Sequence, residues 1–393
     1  MKILSGTIFV AATCIGSGMI ALPITLAKVG LIPSILLMLA IWFVIYYTAL
    51  ASVELNLQAR KGLALGSLCK NFSGTKMQYF GAILLKLLSY ALLSAYISGG
   101  TSIIEKILEV DNLTLWYVVG LLLILLMPSQ IIQKVNNLLF LGLLATTAIL
   151  ILFLLISVQW KDIPLFEIDN LSQVKVWTIL IPVVFTSFGF QVIFHILTDL
   201  YKGDVIALKK VFLWGSLIPA IIYIIWTVSV LIAINNNSKQ FYIKMVNGNV
   251  EVGDLISQLS LIAQTELVQI LIRWIAFLAI STSAIGVGLG LVGAIEQQLE
   301  RFNSLSNKKV ASVALSIMPS TVIILFIPGA FVSILGFAGM ILSFIAILIP
   351  IYLLSNVRGT LFYKELRNKT MIIISVITGF IIIICGFLNI FLI

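Results

Sequence analysis

Two short stretches hold the residue types whose spacing bears most directly on chemistry. In the first, the apolar run 8–12 meets Cys14-Ile15-Gly16-Ser17-Gly18-Met19 and then Ala21-Leu22-Pro23. In the second, the run 179–184 meets Phe185-Thr186-Ser187-Phe188-Gly189-Phe190. Glycine costs about 1 kcal/mol relative to alanine inside a helix, so Gly16 and Gly18 free the backbone to unwind. Pro23 lacks a donor N–H and suits the first turn of a restarted helix, and Pro182 weakens the second stretch just before its break. Unwound backbone at bilayer depth must line a cavity or be covered by protein. Amides around Gly16, Ser17 and Gly18, at the start of a half-helix, favour an anion such as a carboxylate. Carbonyls around Ala12, Cys14 and Phe185, if left free, attract an ammonium or an alkali cation. A site offering both suits a zwitterion, which is an amino acid. A lone Gly-x-Gly also fits close helix packing; the pairing of two such breaks is what points to a site.

Phe188 and Phe190 flank Gly189, and Tyr90 and Tyr96 fall in the third apolar run; these rings either stack on an aromatic substrate or pack. Ionisable groups within apolar runs are costly and are functional candidates by default. Glu54 and Lys86 either pair, or Glu54 faces the rim of the bilayer. Burial would raise the Glu54 pKa and let it exchange protons. His195, the one histidine, is either a titrating group or a hydrogen-bonded packing residue. Ser281, Thr282 and Ser283 either help ligate Na⁺ or water, or bond back to their own helix. Gly286, Gly288, Gly290 and Gly293 read as a smooth face packed on the first helix. Cys14, Cys69 and Cys385 match no metal or redox spacing and read as small buried apolar residues. With no nucleophile–base set and no metal cluster, no cofactor, resident metal or enzymatic activity is expected.

These stretches sit in a chain of 393 residues that is 61% hydrophobic and 10% charged, with a mean hydropathy of +1.17. Soluble domains are about half apolar and about a quarter charged, so a soluble enzyme, a secreted scaffold and a disordered chain are excluded. Spans of ~20 apolar residues fall at about 4–28, 32–57, 78–104, 113–130, 138–158, 177–200, 211–234, 267–295, 310–327, 331–354 and 370–392. That is an all-α polytopic membrane protein with eleven helices, a single domain over 1–393, set in a lipid bilayer. Lys2 before an apolar run mimics a signal peptide, but no small-x-small cleavage site follows, and the run is read as the first helix. With the N-terminus cytoplasmic, 16 of the 24 Lys and Arg fall on the inner side and 7 on the outer, with Lys86 inside a span. The net charge of +9 is thus an orientation signal, with the C-terminus periplasmic and no nucleic-acid partner expected. The longest outer loop, 235–266, carries Leu255, Leu259 and Ile262 at helical spacing, as a short amphipathic helix that either caps an outer vestibule or lies on the surface.

The interrupted helices are the first and the sixth. Five is odd, so helices 6–10 would repeat helices 1–5 upside down. Breaks at matching positions of two inverted halves mark a transporter site near the midplane. The two repeats are placed at about 4–158 and 177–354, with an extra helix at about 370–392.

Ile15-Gly16-Ser17-Gly18-Met19-Ile20-Ala21-Leu22-Pro23 resembles the helix 1 motif of the hydroxy/aromatic amino acid permeases, the tyrosine- and tryptophan-specific transport proteins. Pro182-Val183-Val184-Phe185-Thr186-Ser187-Phe188-Gly189-Phe190 resembles their helix 6 motif. Gly215-Ser216-Leu217-Ile218-Pro219 with Tyr223 and Trp226 resembles helix 7, Gly286-Val287 and Leu289-Gly290-Leu291 part of helix 8, and Pro328-Gly329-Ala330-Phe331 helix 10. The resemblance implies the five-plus-five inverted repeat of the amino acid–polyamine–organocation superfamily. It implies proton-coupled import of tyrosine or tryptophan across a bacterial inner membrane by alternating access. By matching motif, the substrate backbone would meet Ile15, Gly16, Ser17, Gly18, Phe185, Thr186, Ser187 and Gly189; the ring is expected beside Phe188 and Phe190. Ser281, Thr282, Glu54 and His195 are the candidates for ion coupling. The chain departs from the family pattern at Gln191, where a His is usual, at His195, where a Pro is usual, and at Gly293, near a usual Asp. The alternative is the same fold carrying another neutral amino acid such as serine, or coupled to Na⁺.

Overall fold

The structure, a computed structural model, describes residues 2–16, 18–60, 62–157, 161–263, 266–299, 307–327, 329–357 and 359–392. Among these there are helices and no strands. In chain order the helices are α1 (Lys2–Cys14), α2 (Gly18–Leu26), α3 (Leu31–Gln58), α4 (Leu65–Ser73), α5 (Thr75–Leu108), α6 (Thr114–Leu126) and α7 (Ser129–Ser157). They continue with α8 (Ile168–Leu171), α9 (Val174–Ser187), α10 (Phe194–Leu200), α11 (Val205–Asn237), α12 (Lys239–Val246), α13 (Val252–Ile262) and α14 (Glu266–Leu299). The last are α15 (Lys308–Phe326), α16 (Phe331–Ser343), α17 (Ile349–Ser355) and α18 (Lys369–Leu392).

Eight helical stretches among the described residues are long and apolar enough to cross a bilayer, and the pair α1–α2, bent by 53°, makes up to nine. Eleven crossings were expected. The difference lies at α6 and at α9–α10. Pro128 forces Met127 into an extended conformation and stops α6 after 13 residues, roughly 20 Å of helix, where a span to residue 130 was expected. The following helix begins at once at Ser129, nine residues before the expected span. The expected sixth span is cut into the 14-residue α9, a single 3-10 turn at Gln191–Ile193 and the seven-residue α10.

Local signals set several ends. Asp204 caps α11, its carboxylate accepting from the amides of Ile206 and Ala207 at 3.1 and 3.0 Å. A capping box of Glu251 and Asp254 starts α13. Gly30, at φ +80°, turns the chain from α2 into α3; a side chain there would strike the backbone of Leu165 and Phe166. Between α16 and α17 the chain passes through a π-helical turn, Phe344–Leu348.

The end of the bundle away from Lys2 is closed by layered contacts. All nine residues of α2 are buried. The segment after α7 lies along the α2–α3 turn, with the amides of Leu31 and Ile32 donating to the carbonyls of Pro164 and Leu165. The expected amphipathic helix is α13, with Leu255 and Leu259 buried and Ile262 partly so. It docks on α5: the amide of Gly253 donates to Ser102 at 3.0 Å, and Lys106 pairs with Asp254 at 3.0 Å.

Candidate functional site

The two broken helices meet. A Cβ on Gly18 would lie 2.7 Å from Cβ of Ser187 and 2.9 Å from the Tyr223 hydroxyl, so only glycine lets the start of α2 approach the end of α9. α9 ends in side chains that bond back to its own carbonyls: Thr186 to Pro182 at 2.8 Å and Ser187 to Val183 at 2.9 Å. Thr186 also lies 2.9 Å from the Leu335 carbonyl, tying the break to α16. From α11, the Tyr223 hydroxyl sits 2.6 Å from the Cys14 carbonyl and 3.0 Å from that of Ser187, and its one proton serves either. Trp226 donates to the Met19 carbonyl at 2.5 Å. One helix therefore stitches the last carbonyls of two half-helices.

Beside this junction is a cavity of about 700 Å³. That volume is in the range of small-molecule sites. Its wall includes Cys14, Ile15, Gly16 and Gly18 from the first break and Thr186, Ser187, Gly189 and Gln191 from the second. Phe9 and Phe140 supply apolar surface, Tyr96 a phenol, and Asn136 and Asn137 amides. Among the described residues the wall carries no charged side chain. Besides the breaks, it takes residues from α1, from the middle of α5, from the early turns of α7 and from the second half of α14. Antiparallel neighbours give that pattern when a cavity occupies the end of the bundle that carries Lys2.

The expected residues divide. Ile15, Gly16, Gly18, Thr186, Ser187 and Gly189 are brought together at the cavity; Ser17 lies outside the described residues. The first-turn amides of α2 lack acceptors within the helix by geometry, and Met19 N is met by the Gly16 carbonyl at 3.0 Å. Two carbonyls expected to be free are engaged: Cys14 by Tyr223, and Phe185 by the amide of Phe188 at 3.2 Å. Phe185, Phe188 and Phe190 are fully buried and off the cavity wall. Phe188 packs edge-on against Tyr223 and Phe190 stacks on Phe212, so the ring-stacking expected of Phe188 and Phe190 is replaced by interior packing. Tyr90 donates to the Leu315 carbonyl at 3.0 Å, while Tyr96 lines the cavity.

Of the ion-coupling candidates, only Thr282 reaches the wall. The Thr282 and Ser283 hydroxyls bond back to Leu278 and Ala279 at 2.7 and 2.8 Å, the second of the two readings given above. Ser281 is buried and faces the Tyr117 hydroxyl. Glu54 is fully buried, and no ion pair with Lys86 forms among the described residues. Its carboxylate accepts from the amides of Phe362 and Tyr363, both at 3.0 Å, and from Gln58 at 2.7 Å, fastening the segment before α18 to α3. Nearby, Lys209 pairs with Glu365 and holds that carboxyl below its ordinary range. His195 is half-buried on α10 and off the wall. On α14, Gly288 alone of the four glycines meets a neighbour, Leu125. Gly286 and Gly290 face open space on the cavity wall, so that face widens the cavity and does not pack on α1.

Residues that the sequence left out of the site are Phe9, Asn136, Asn137 and Phe140. Asn136 and Asn137 precede the expected span 138–158 and read as loop; the helix that carries them starts at Ser129.

The chain is similar over most of its length to proteins named as amino acid transporters. It is 29% identical over 390 residues to tyrosine-specific transport system 1 of Haemophilus influenzae, covering 97% of this chain and 95% of that protein. It is 29% identical over 376 residues to glutamine transporter 2 of Aliivibrio fischeri, covering 91% and 89%. It is 26% identical over 360 residues to the tryptophan-specific transport protein of Pseudomonas aeruginosa, covering 89% and 85%. The tryptophan/tyrosine permease family model matches residues 1–386, so the chain is a multi-pass membrane protein of that family, a transport protein and not an enzyme.

Proposed function

We propose that this permease is a secondary transporter that imports an aromatic amino acid, tyrosine or tryptophan, with protons across the bacterial inner membrane by alternating access. The observation that carries the reading is a cavity formed where both helix breaks meet. The α-carboxylate sits on the first-turn amides of α2 around Gly16 and Gly18, where the half-helix dipole favours an anion. The ammonium lies among the polar atoms of Ala12, Thr186 and Ser187, and the ring lies against Phe9, Phe140 and Tyr96. The names of the tyrosine- and tryptophan-specific relatives support the substrate class.

The architecture proposed is eleven crossings, with α6 and α9–α10 as short or broken ones, in two inverted repeats at about 4–158 and 177–354 and an extra helix at about 370–392. The corresponding positions of the two breaks support it. The Lys and Arg bias of 16 to 7 supports a cytoplasmic N-terminus and a periplasmic C-terminus. In that orientation the cavity belongs to an inward-open state, and rocking of α1, α2, α3, α9 and α11 against the rest would open the other end.

The test is uptake of labelled tyrosine and tryptophan, in a strain lacking its own aromatic permeases, under an imposed pH gradient with and without Na⁺. Uptake of either that follows the pH gradient is expected. Absence of both, with the protein in the membrane, overturns the substrate assignment; a requirement for Na⁺ at fixed pH overturns proton drive. A second reading, a neutral amino acid such as glutamine or serine, is favoured by the amides Asn136, Asn137 and Gln191 on the wall and by the glutamine transporter among the relatives. Both compounds belong in the same panel.

A further inference from the structure

Two amide side chains on the cavity wall hold an unmet acceptor. Oδ1 of Asn136 and Oε1 of Gln191 are shut off from solvent, and neither receives a hydrogen bond. Other side-chain atoms in that condition, such as the hydroxyls of Thr227, Ser229 and Ser375, belong to residues off the wall; among the described residues only these two line the cavity. They come from different elements, the second turn of α7 and the 3-10 turn that follows the α9 break. A buried acceptor without a donor bears the full desolvation cost of that group, and low surrounding polarity raises it. The terminal torsion of an Asn or Gln side chain is broad, so either amide can turn its oxygen into the cavity at little cost.

We propose that Asn136 and Gln191 are specificity-determining residues that accept a hydrogen bond from a donor at the far end of the substrate's side chain. The proposal rests on the reading of this cavity as the substrate site. The phenol O–H of tyrosine and the indole N–H of tryptophan each bring such a donor beyond the ring. Phenylalanine brings none. The apolar part of the wall, Phe9, Leu88, Leu92 and Phe140, accommodates all three rings alike. Discrimination must then come from the amides, which a ring without a donor leaves unmet. Sites built around a substrate hydrogen bond reject the analogue lacking it far more strongly than apolar pockets reject a small change of size.

The experiment compares initial uptake of tyrosine with phenylalanine, and of tryptophan with benzothienylalanine, in which sulfur replaces the indole N–H. Wild type is expected to favour the donor-bearing member of a transported pair by about tenfold or more. Gln191→Leu and Asn136→Leu are each expected to bring that ratio towards one, and Gln191→Asn, which keeps an acceptor, to hold it above the Leu variant. Equal wild-type uptake within a pair, or a ratio unmoved by both Leu substitutions, overturns the proposal and leaves the transport reading standing. Uptake of none of the four compounds by wild type overturns the aromatic-substrate reading itself. If both Leu variants lose all uptake, the wild-type ratio and the Gln191→Asn ratio decide.

Discussion

The two ends of the bundle are filled in opposite ways. At the end away from Lys2, space is taken up by covering elements: all of α2 is buried, Trp226 holds the Met19 carbonyl, the segment 163–167 lies on the α2–α3 turn, and α13 is docked on α5. At the end that carries Lys2, the helices stand apart around a cavity of about 700 Å³. What fastens that end is polar and peripheral, the Glu54 clasp on Phe362 and Tyr363 and the Lys209–Glu365 pair. The contrast teaches that the closed end is held by many modest contacts spread over several elements. Each of those contacts can be lost on its own, whereas the junction between the breaks has no slack.

That junction is where the largest effect is expected. Gly18→Leu would drive a side chain into Ser187 and Tyr223, and uptake should fall more than about a hundredfold with insertion unchanged. Normal uptake by this variant, with membrane amounts matched by immunoblot, would remove the first break from the site. Next comes the clasp. Glu54→Ala leaves the amides of Phe362 and Tyr363 without their acceptor, and stability in detergent should drop by about 3 kcal/mol; a variant as stable as wild type would show that the clasp fastens nothing. Glu54→Gln, which keeps an acceptor oxygen, should lose less.

The closed end is tested through Trp226→Phe, which frees the Met19 carbonyl. In a Cys69→Ser, Cys385→Ser background that keeps Trp226, an impermeant maleimide should label the buried Cys14 only slowly, and chiefly from the cavity side. The substitution should raise labelling from the opposite side about fivefold, equivalent to one hydrogen bond of ~1 kcal/mol. Unchanged labelling would mean that packing alone holds this end. The smallest effect belongs to Lys106→Ala: its ion pair with Asp254 is partly exposed, such pairs contribute under about 1 kcal/mol, and uptake should change less than about threefold. A tenfold change would make α13 a principal gate.

The same contrast separates what the sequence reveals from what it hides. Gly16, Gly18 and Pro23 announce the first break because glycine and proline act on the backbone locally. The outer helix around Leu255 and Leu259 is legible for a similar reason, its spacing being a local pattern. The directions of side chains are not local. Phe188 and Phe190 sit beside the second break in sequence, yet α11 supplies Tyr223 and Phe212 to cover them. Gly286 and Gly290 look like a packing face, and only the three-dimensional placement of α1 shows that nothing stands opposite them. Asn136 and Asn137 read as loop because polar residues next to an apolar run look like its end; the helix begins at Ser129, directly after Pro128. Helix length was similarly hidden at α6, where Met127 takes the extended conformation that a following proline demands.

The π-helical turn Phe344–Leu348 has a consequence that concerns chain length. It carries Ile345 on the cavity wall and hands the chain to α17, whose Ile349, Ile351, Leu353 and Leu354 are buried while Tyr352 points out to meet Ser73. Such a turn is wider than an α-helical one and holds a residue more. Removing one residue from it would let the turn close to α-helical geometry with the phase downstream kept, whereas removing one from a regular turn of α16 would rotate everything downstream by roughly 100°. In that second case the inward face of α17 would swing towards lipid, and the exposed Tyr352 towards the core. Between Ser343 and Ile349 the chain can therefore lose one residue and stay in phase with the bundle, a tolerance that the α-helical turns on either side do not share.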